Sequence, residues 1–398
     1  MTSLMFIFSL VLHVHCGESI NAALDIARSA YSANGEATTI YIDPGTYQEE
    51  LTIDVPNLTL KNAAKKPSIA LKNHGVDCDE NAVRITWYYG HGYQYRSMGE
   101  RVNYGGKRER RWNASTLVTA PNFRAENIIF ENSFNLYVSE REAQDSLIDI
   151  SQSAMPWTDK ERPKKIMPVR PKTIGSTEVQ KKAFRERASA ISFTETATNA
   201  HLVNCRAVGR QDVIYGDQGA SIYWQGGILQ GGVDFIFGGM RFCADHTTII
   251  ANINGEENDK CYISAGRSGG EQEPTESTHG MLFYHCHIRL ADENELQITD
   301  HQSPIAKPMV WLARPWRYWG ETVWAYTTWE KGILNPEAWH LGLVKDKPGF
   351  NPENPCPNSY EYHSQDQSID RPSWVNVLRK PRLPDGTKIN PKNWNKKP

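Results

Sequence analysis

Two short segments of this 398-residue chain repeat one another around the same acid. Asp212-Val213-Ile214-Tyr215-Gly216 recurs 22 residues later as Asp234-Phe235-Ile236-Phe237-Gly238, and the residue types agree position by position. Such an offset fits one coil of a β-solenoid, in which each coil stacks on the last and buries a continuous core. Equivalent residues then sit roughly 4.8 Å apart, the spacing of hydrogen-bonded strands. Two carboxylates that close repel when both are ionised, which raises one pKa and leaves the other available as an anion. One can act as acid while the other attacks. Ester hydrolysis through a covalent intermediate suits that division of labour, because aspartate is a competent nucleophile once it is held and kept charged. A bidentate arginine is the natural device for holding it.

The elements that must position these acids are mostly strands. Short β-branched and aromatic runs ended by Gly, Asn or Asp recur along the chain, as in 38–42, 188–193 and 280–288. Helical spacing is confined to Ser19–Ala33, where Ile20, Ala23, Leu24, Ile26 and Ala27 predict a helix capping the start of the fold. Residues 134–187, with Pro156, Pro163, Pro168 and Pro171, read as a long excursion from the solenoid. Residues 89–112 read as a second excursion, rich in aromatic side chains and arginine (Arg108, Arg110, Arg111). After Trp339 the chain turns Pro- and Asn-rich, which predicts an irregular tail over 340–398.

Composition narrows the function classes. Lys+Arg 44 against Asp+Glu 46 gives a net charge of −2, so no global basic field points to nucleic acid. The apolar run Leu4–Val14 is of signal-peptide length and too short for a membrane span, although it lacks a basic n-region. The expectation is a signal peptide over 1–16, a secreted protein, and one domain over 17–398. Seven cysteines show no CxxC spacing. In His285-Cys286-His287 the two histidines share one face of an extended segment and the cysteine points away, which favours a structural role over a metal site. Without Cys16, six cysteines allow disulfides but no pairing is decidable.

Gly232-Val233-Asp234-Phe235-Ile236-Phe237-Gly238 resembles the signature segment of pectin methylesterases. Upstream, Gly209-Arg210-Gln211-Asp212-Val213-Ile214-Tyr215 is similar to the family's Gly-Tyr-Gln-Asp-Thr-Leu-Tyr, and Leu312-Ala313-Arg314-Pro315-Trp316 to its Leu-Gly-Arg-Pro-Trp. Near the start, Gly45-Thr46-Tyr47-Gln48-Glu49 resembles its Gly-x-Tyr-x-Glu, a structural and substrate-cleft element. The resemblance implies an all-β fold, a right-handed single-stranded parallel β-helix with a short N-terminal capping helix and long loop excursions. It also implies hydrolysis of galacturonate methyl esters in pectin, with release of methanol. In that reading Asp234 is the nucleophile, Asp212 the acid and then the base, Arg314 the partner of Asp234, and Gln211 an oxyanion donor. Trp316 is the sugar platform, and Tyr215 and Phe235 join it at the substrate. No metal or organic cofactor is called for, because acid, nucleophile and oxyanion donors all come from the protein, and a monomer is expected.

The pattern departs from the family at several places. Where the family has Gln-Ala-Val on the coil before Gln211, this chain has Arg187-Ala188-Ser189-Ala190, so Arg187 is expected to supply the second oxyanion donor. Arg210, Val213 and Gly239 replace an aromatic, a threonine and an asparagine, and are expected close to the cleft. Three alternatives compete: a lyase or polygalacturonase on a similar solenoid, an esterase of this fold acting on another ester, and a non-catalytic polysaccharide-binding relative. A lyase needs clustered carboxylates for calcium, and none is obvious near Asp234.

Overall fold

Most turns of the chain lay down three strands, one in each of three parallel sheets that hold eleven, eight and seven strands among the described residues. The structure is a computed structural model and describes residues 9–91, 93–99, 113–147, 168–256, 258–267, 273, 278–299, 309–342, 344–346, 350–365 and 371–394. One coil shows the pattern: Ser221–Gln225 lies in the first sheet, Ile228–Gly231 in the second and Val233–Gly238 in the third, after which Arg241–Asp245 returns to the first. This is a parallel β-helix. Stacking is in register, so the inward positions form columns such as Trp224↔Ala244↔Phe283↔Trp324. Phe283 and Trp324 stack face to face with centroids 3.9 Å apart. Large and small side chains along such columns fill an interior that no single coil could close.

Both ends of the core are covered. The helix Ile20–Asn34 buries Ile20, Ala23, Leu24 and Ala27 over the first coil. Ser19 caps it, and the Glu49 carboxylate accepts from the amides of Ile20 and Asn21, where a negative charge meets the positive end of the helix. Gly35, at φ 71°, ends it in the left-handed conformation. Thus the Gly45–Glu49 motif anchors the capping helix. At the far end Glu361 continues the Trp324 column and is buried. Trp339 and Arg371 both donate to its carboxylate, so a paired charge closes the stack.

The tail is more regular than its composition suggests. Ser359–Tyr362 and Asn376–Val377 extend the first sheet, and Pro391–Trp394 is a short helix whose Trp394 packs with Leu383 and Ile389 on that sheet's outer face. Short runs among Pro and Asn carried too little periodicity to show this. Ser9–Val14, inside the apolar N-terminal run, pairs in register with Ala37–Ile42 at the edge of the first sheet; residues 1–8 lie outside the described residues. In the His285-Cys286-His287 segment, Cys286 enters the core and both histidines stay outside. No disulfide forms among the described residues.

Excursions of 63–82 and 267–280 leave at the other two corners, but the two longest leave between the second and third sheets. The chain takes 88–115, 133–190, 252–260 and 291–309 to turn that corner on four coils, but only 209–213 and 232 on the two coils between them. Asp212 and its equivalent Asp234 lie at those two short corners. Parts of the two excursions expected from sequence, 100–112 and 148–167, lie outside the described residues. The remainder of 134–187 is fastened by buried charge: Asp259 accepts from Arg185 and Arg210, and Arg210 also donates to the Gln180 carbonyl. Arg210 is therefore fully buried scaffolding and not the cleft residue expected, and Val213 lies in the core for the same reason of register. Burial draws the Arg210 guanidinium down to about 10, with Arg185 adding to the effect.

Removal of Asp259 takes away the carboxylate that two guanidinium groups share in a dry site. Asp259→Ala is expected to cost about 3–5 kcal/mol of stability, read as a lowered midpoint in urea unfolding; a loss under 1 kcal/mol would refute this role.

Candidate active site

Asp212 and Asp234 both take the left-handed backbone conformation, at φ 58° and 49°. Aspartate tolerates this region better than most residues, and its use at two stacked corners marks strain held in place by the coils around it. The conformation also resets the strand's phase. Val213 and Ile214, like Phe235 and Ile236, are successive residues that both enter the core, and outward pointing resumes at Tyr215 and Phe237. The pairing of Val233–Gly238 with Cys261–Gly266 shifts register between Val233 and Ile236 for the same reason. Gly231 is needed beneath the turn, since a Cβ there would lie 2.3 Å from that of Phe235.

Arg314 holds Asp234 in a bidentate pair, Nε to Oδ1 and Nη2 to Oδ2, each at 2.5 Å. The guanidinium is itself fixed: it lies 4.1 Å from the centroid of the Tyr262 ring, which stacks on Trp311. Parallel charge-assisted bonds of this kind fix the orientation of a carboxylate. Asp212 is in a different setting. It is buried, Ser189 donates to its backbone carbonyl at 2.6 Å, and its only ion-pair contact among the described residues is Arg187, Nε to Oδ2 at 3.6 Å. Burial pushes the Asp212 carboxyl up to about 8; Arg187 opposes the shift and the charge of Asp234 adds to it. Loss of solvent, more than mutual repulsion, therefore separates the two acids.

Gln211 occupies the rung between Arg187 on the preceding coil and Val233 on the next, so the two expected oxyanion donors stack beside the aspartates. Next to them, Tyr215, Phe237, Ala265 and Trp316 form an aromatic ridge on the outer face of the third sheet, with Tyr215 and Phe237 centroids 4.9 Å apart and Phe237 and Trp316 6.1 Å apart. Arg267 and Arg317 flank Trp316 at 5.3 and 5.0 Å from its ring centroid. A ring face bordered by cations suits an acidic sugar.

Seven of the eight residues singled out from sequence thus meet at one place: Asp212, Asp234, Arg314, Gln211, Arg187, Tyr215 and Trp316. Phe235 does not. It is fully buried in the core, because the turn at Asp234 shifts the alternation by one, and Phe237 takes the outer face of the sheet in its stead, itself buried against Tyr215 and Trp316. Sequence reasoning also missed Tyr262, which aligns Arg314; its signal was only its place in the run Cys261–Gly266 one coil beyond Asp234.

Residues 174–343 match the family model Pectinesterase, a span that contains every residue of the site. Residues 174–343 belong to the pectinesterase family. The pectinesterase segment and its flanks are 24% identical over 330 residues to putative pectinesterase 63 of Arabidopsis thaliana, covering 82% of this chain and 69% of that one. Pectinesterase 31 of the same plant is 30% identical over 151 residues, 38% of this chain and 40% of that relative. Among solved structures, the pectin methylesterase PemA from Erwinia chrysanthemi superposes with a TM-score of 0.58 at 18% identity, covering 93% of each chain. A pectin methylesterase from Yersinia enterocolitica gives 0.56 at 21% identity, covering 90% of this chain and 93% of that one. These likenesses establish the parallel β-helix as the shared fold.

The raised proton affinity of Asp212 has a thermodynamic signature. Its carboxyl gives up its proton near pH 8 in the folded state but at about 3.9 in an unfolded chain. Between those values the folded state binds the extra proton, so stability falls as pH rises from about 4 to about 8. Asp212→Asn removes this slope: the variant should match wild type near pH 4 and exceed it increasingly towards pH 8 in denaturant titrations. Parallel curves for the two proteins would exclude a high Asp212 pKa.

Proposed function

We propose that this pectinesterase-family chain hydrolyses the methyl esters of galacturonate units in pectin. The observation that carries the reading is the pair of stacked aspartates with opposite settings, one clamped by Arg314 and the other buried and protonated below pH 8. A carboxylate oxygen of Asp234 attacks the ester carbonyl carbon, and the carbonyl electron pair moves onto oxygen. Gln211 and Arg187 donate to that oxyanion. Collapse of the tetrahedral intermediate breaks the bond to the methoxy oxygen, which takes the proton of Asp212 and leaves as methanol. An anhydride now joins Asp234 to the sugar. Asp212, ionised, takes a proton from water as the water oxygen bonds to the sugar's carbonyl carbon, and Asp234 is expelled as carboxylate. Trp316, with Phe237 and Tyr215 beside it, supports the pyranose ring.

Because the first step consumes a proton held by Asp212, kcat/KM is expected to fall as pH rises through about 8. An esterase on another ester would use the same steps, and the similarity to pectinesterases and to pectin methylesterases favours pectin.

Methanol release from highly methyl-esterified pectin by the purified protein tests the reading. Asp234→Asn should lower kcat by about a thousandfold or more, and Arg187→Ala by about a hundredfold. Folded wild-type protein that releases no methanol would remove the assignment, and an Arg187→Ala variant with unchanged kcat would remove Arg187 from the oxyanion site.

A further inference from the structure

A second groove lies on another face of the coil, away from the corner that carries the aspartates. One wall is the outer surface of the first sheet and its corner with the second, where Tyr284 and Tyr326 meet edge to face with centroids 5.4 Å apart. Tyr326 is itself stacked flat on His285, 4.6 Å away and within 5° of parallel, so its ring is held in a fixed plane. The other wall is the tail between Lys380 and Asn390, where Arg382 and Lys388 bridge as antiparallel neighbours. Leu383 and Ile389 are buried and pin that hairpin to the sheet. The space between the walls is about 430 Å³.

Charge in the groove is one-sided. Lys380, Arg382 and Lys388 all line it and are exposed, and none makes an ion pair with a carboxylate among the described residues. Arg382 donates only to the Gly386 carbonyl of its own hairpin. The hairpin's one acid, Asp385, turns towards Thr387 and His279. On the sheet side, Asp245 is engaged by the Tyr223 hydroxyl and the His246 ring. Three unpaired cations gathered beside two tyrosine faces are a local feature of a chain whose net charge is −2.

We propose that this groove is an accessory binding site for a stretch of non-esterified galacturonate, the product of the reaction assigned above. Rings of Tyr284 and Tyr326 present flat apolar surface to the pyranose face, and the ammonium and guanidinium groups pair with the uronate carboxylates that recur along the polymer. Methyl-esterified units lack that charge and bind here more weakly. The groove would retain the enzyme on polymer that it has already de-esterified while the catalytic corner works elsewhere along the chain or on a neighbouring one. This inference rests on the pectin reading for the identity of the sugar.

Trigalacturonate is the probe, because it carries three carboxylates and no ester to be turned over. Calorimetric titration of the wild-type protein at low salt is expected to show a site that K380E/K388E weakens by at least about tenfold, that K380R/K388R retains, and that fully methyl-esterified trigalacturonate, titrated into Asp234→Asn so that it is not turned over, does not fill. Methanol release from short esterified oligosaccharides should be unchanged in both variants, since neither residue touches the catalytic corner. Identical isotherms for wild type and K380E/K388E would overturn the proposal while leaving the esterase reading intact. Conversely, a groove that binds trigalacturonate in a protein that releases no methanol would uphold the site and overturn the esterase reading alone.

Discussion

In-register stacking of parallel coils is the constraint from which the rest of this molecule follows. Every inward side chain must fit the residue one coil above and the residue one coil below, and every backbone turn must match its neighbours'. The same rule that builds the Trp224↔Ala244↔Phe283↔Trp324 column also sets Asp212 beside Asp234. Chemistry needing two carboxylates at close range is thereby obtained from the repeat itself, and the excursions are left to shape access.

Proximity alone would leave two equivalent acids. What distinguishes them is the third layer of contacts: Arg314, steadied by Tyr262, reaches Asp234 in a bidentate pair, whereas Asp212 is shut away from water and meets Arg187 at longer range. Arginine at position 187 is a compromise in this arrangement. Its charge favours ionised Asp212, the wrong form for the first step, while burial more than offsets that pull. A neutral amide there would leave the acid still more firmly protonated.

Much of this was legible in the sequence because solenoid repeats leave a direct record. The 22-residue echo gave the coil, the spacing of Ile20, Ala23, Leu24 and Ala27 gave the cap, and the ordered short motifs gave the acids and Arg314. Failures came where geometry departs from simple alternation. Phe235 was misplaced because a left-handed residue inside a strand shifts the period by one. Arg210 was misread as a cleft residue because nothing local announces that Asp259, 49 residues on, will neutralise it in the interior. The strands of the tail escaped notice because pairing across coils, and not local pattern, makes them.

The gathering of the two longest excursions, 88–115 and 133–190, at one corner separates two kinds of inheritance. Insertions at 88–115, 133–190, 252–260 or 291–309 begin and end at the same edge of the coil, so their length can change without moving any column of the core. Lineages of such a protein can therefore explore new polymers by lengthening, shortening or exchanging these segments while the aspartates on the two short corners stay where they are. Substrate range is then free to change apart from the core columns, provided the pairing of Asp259 with Arg185 and Arg210 is kept, and distant relatives should differ most where this molecule carries its longest loops.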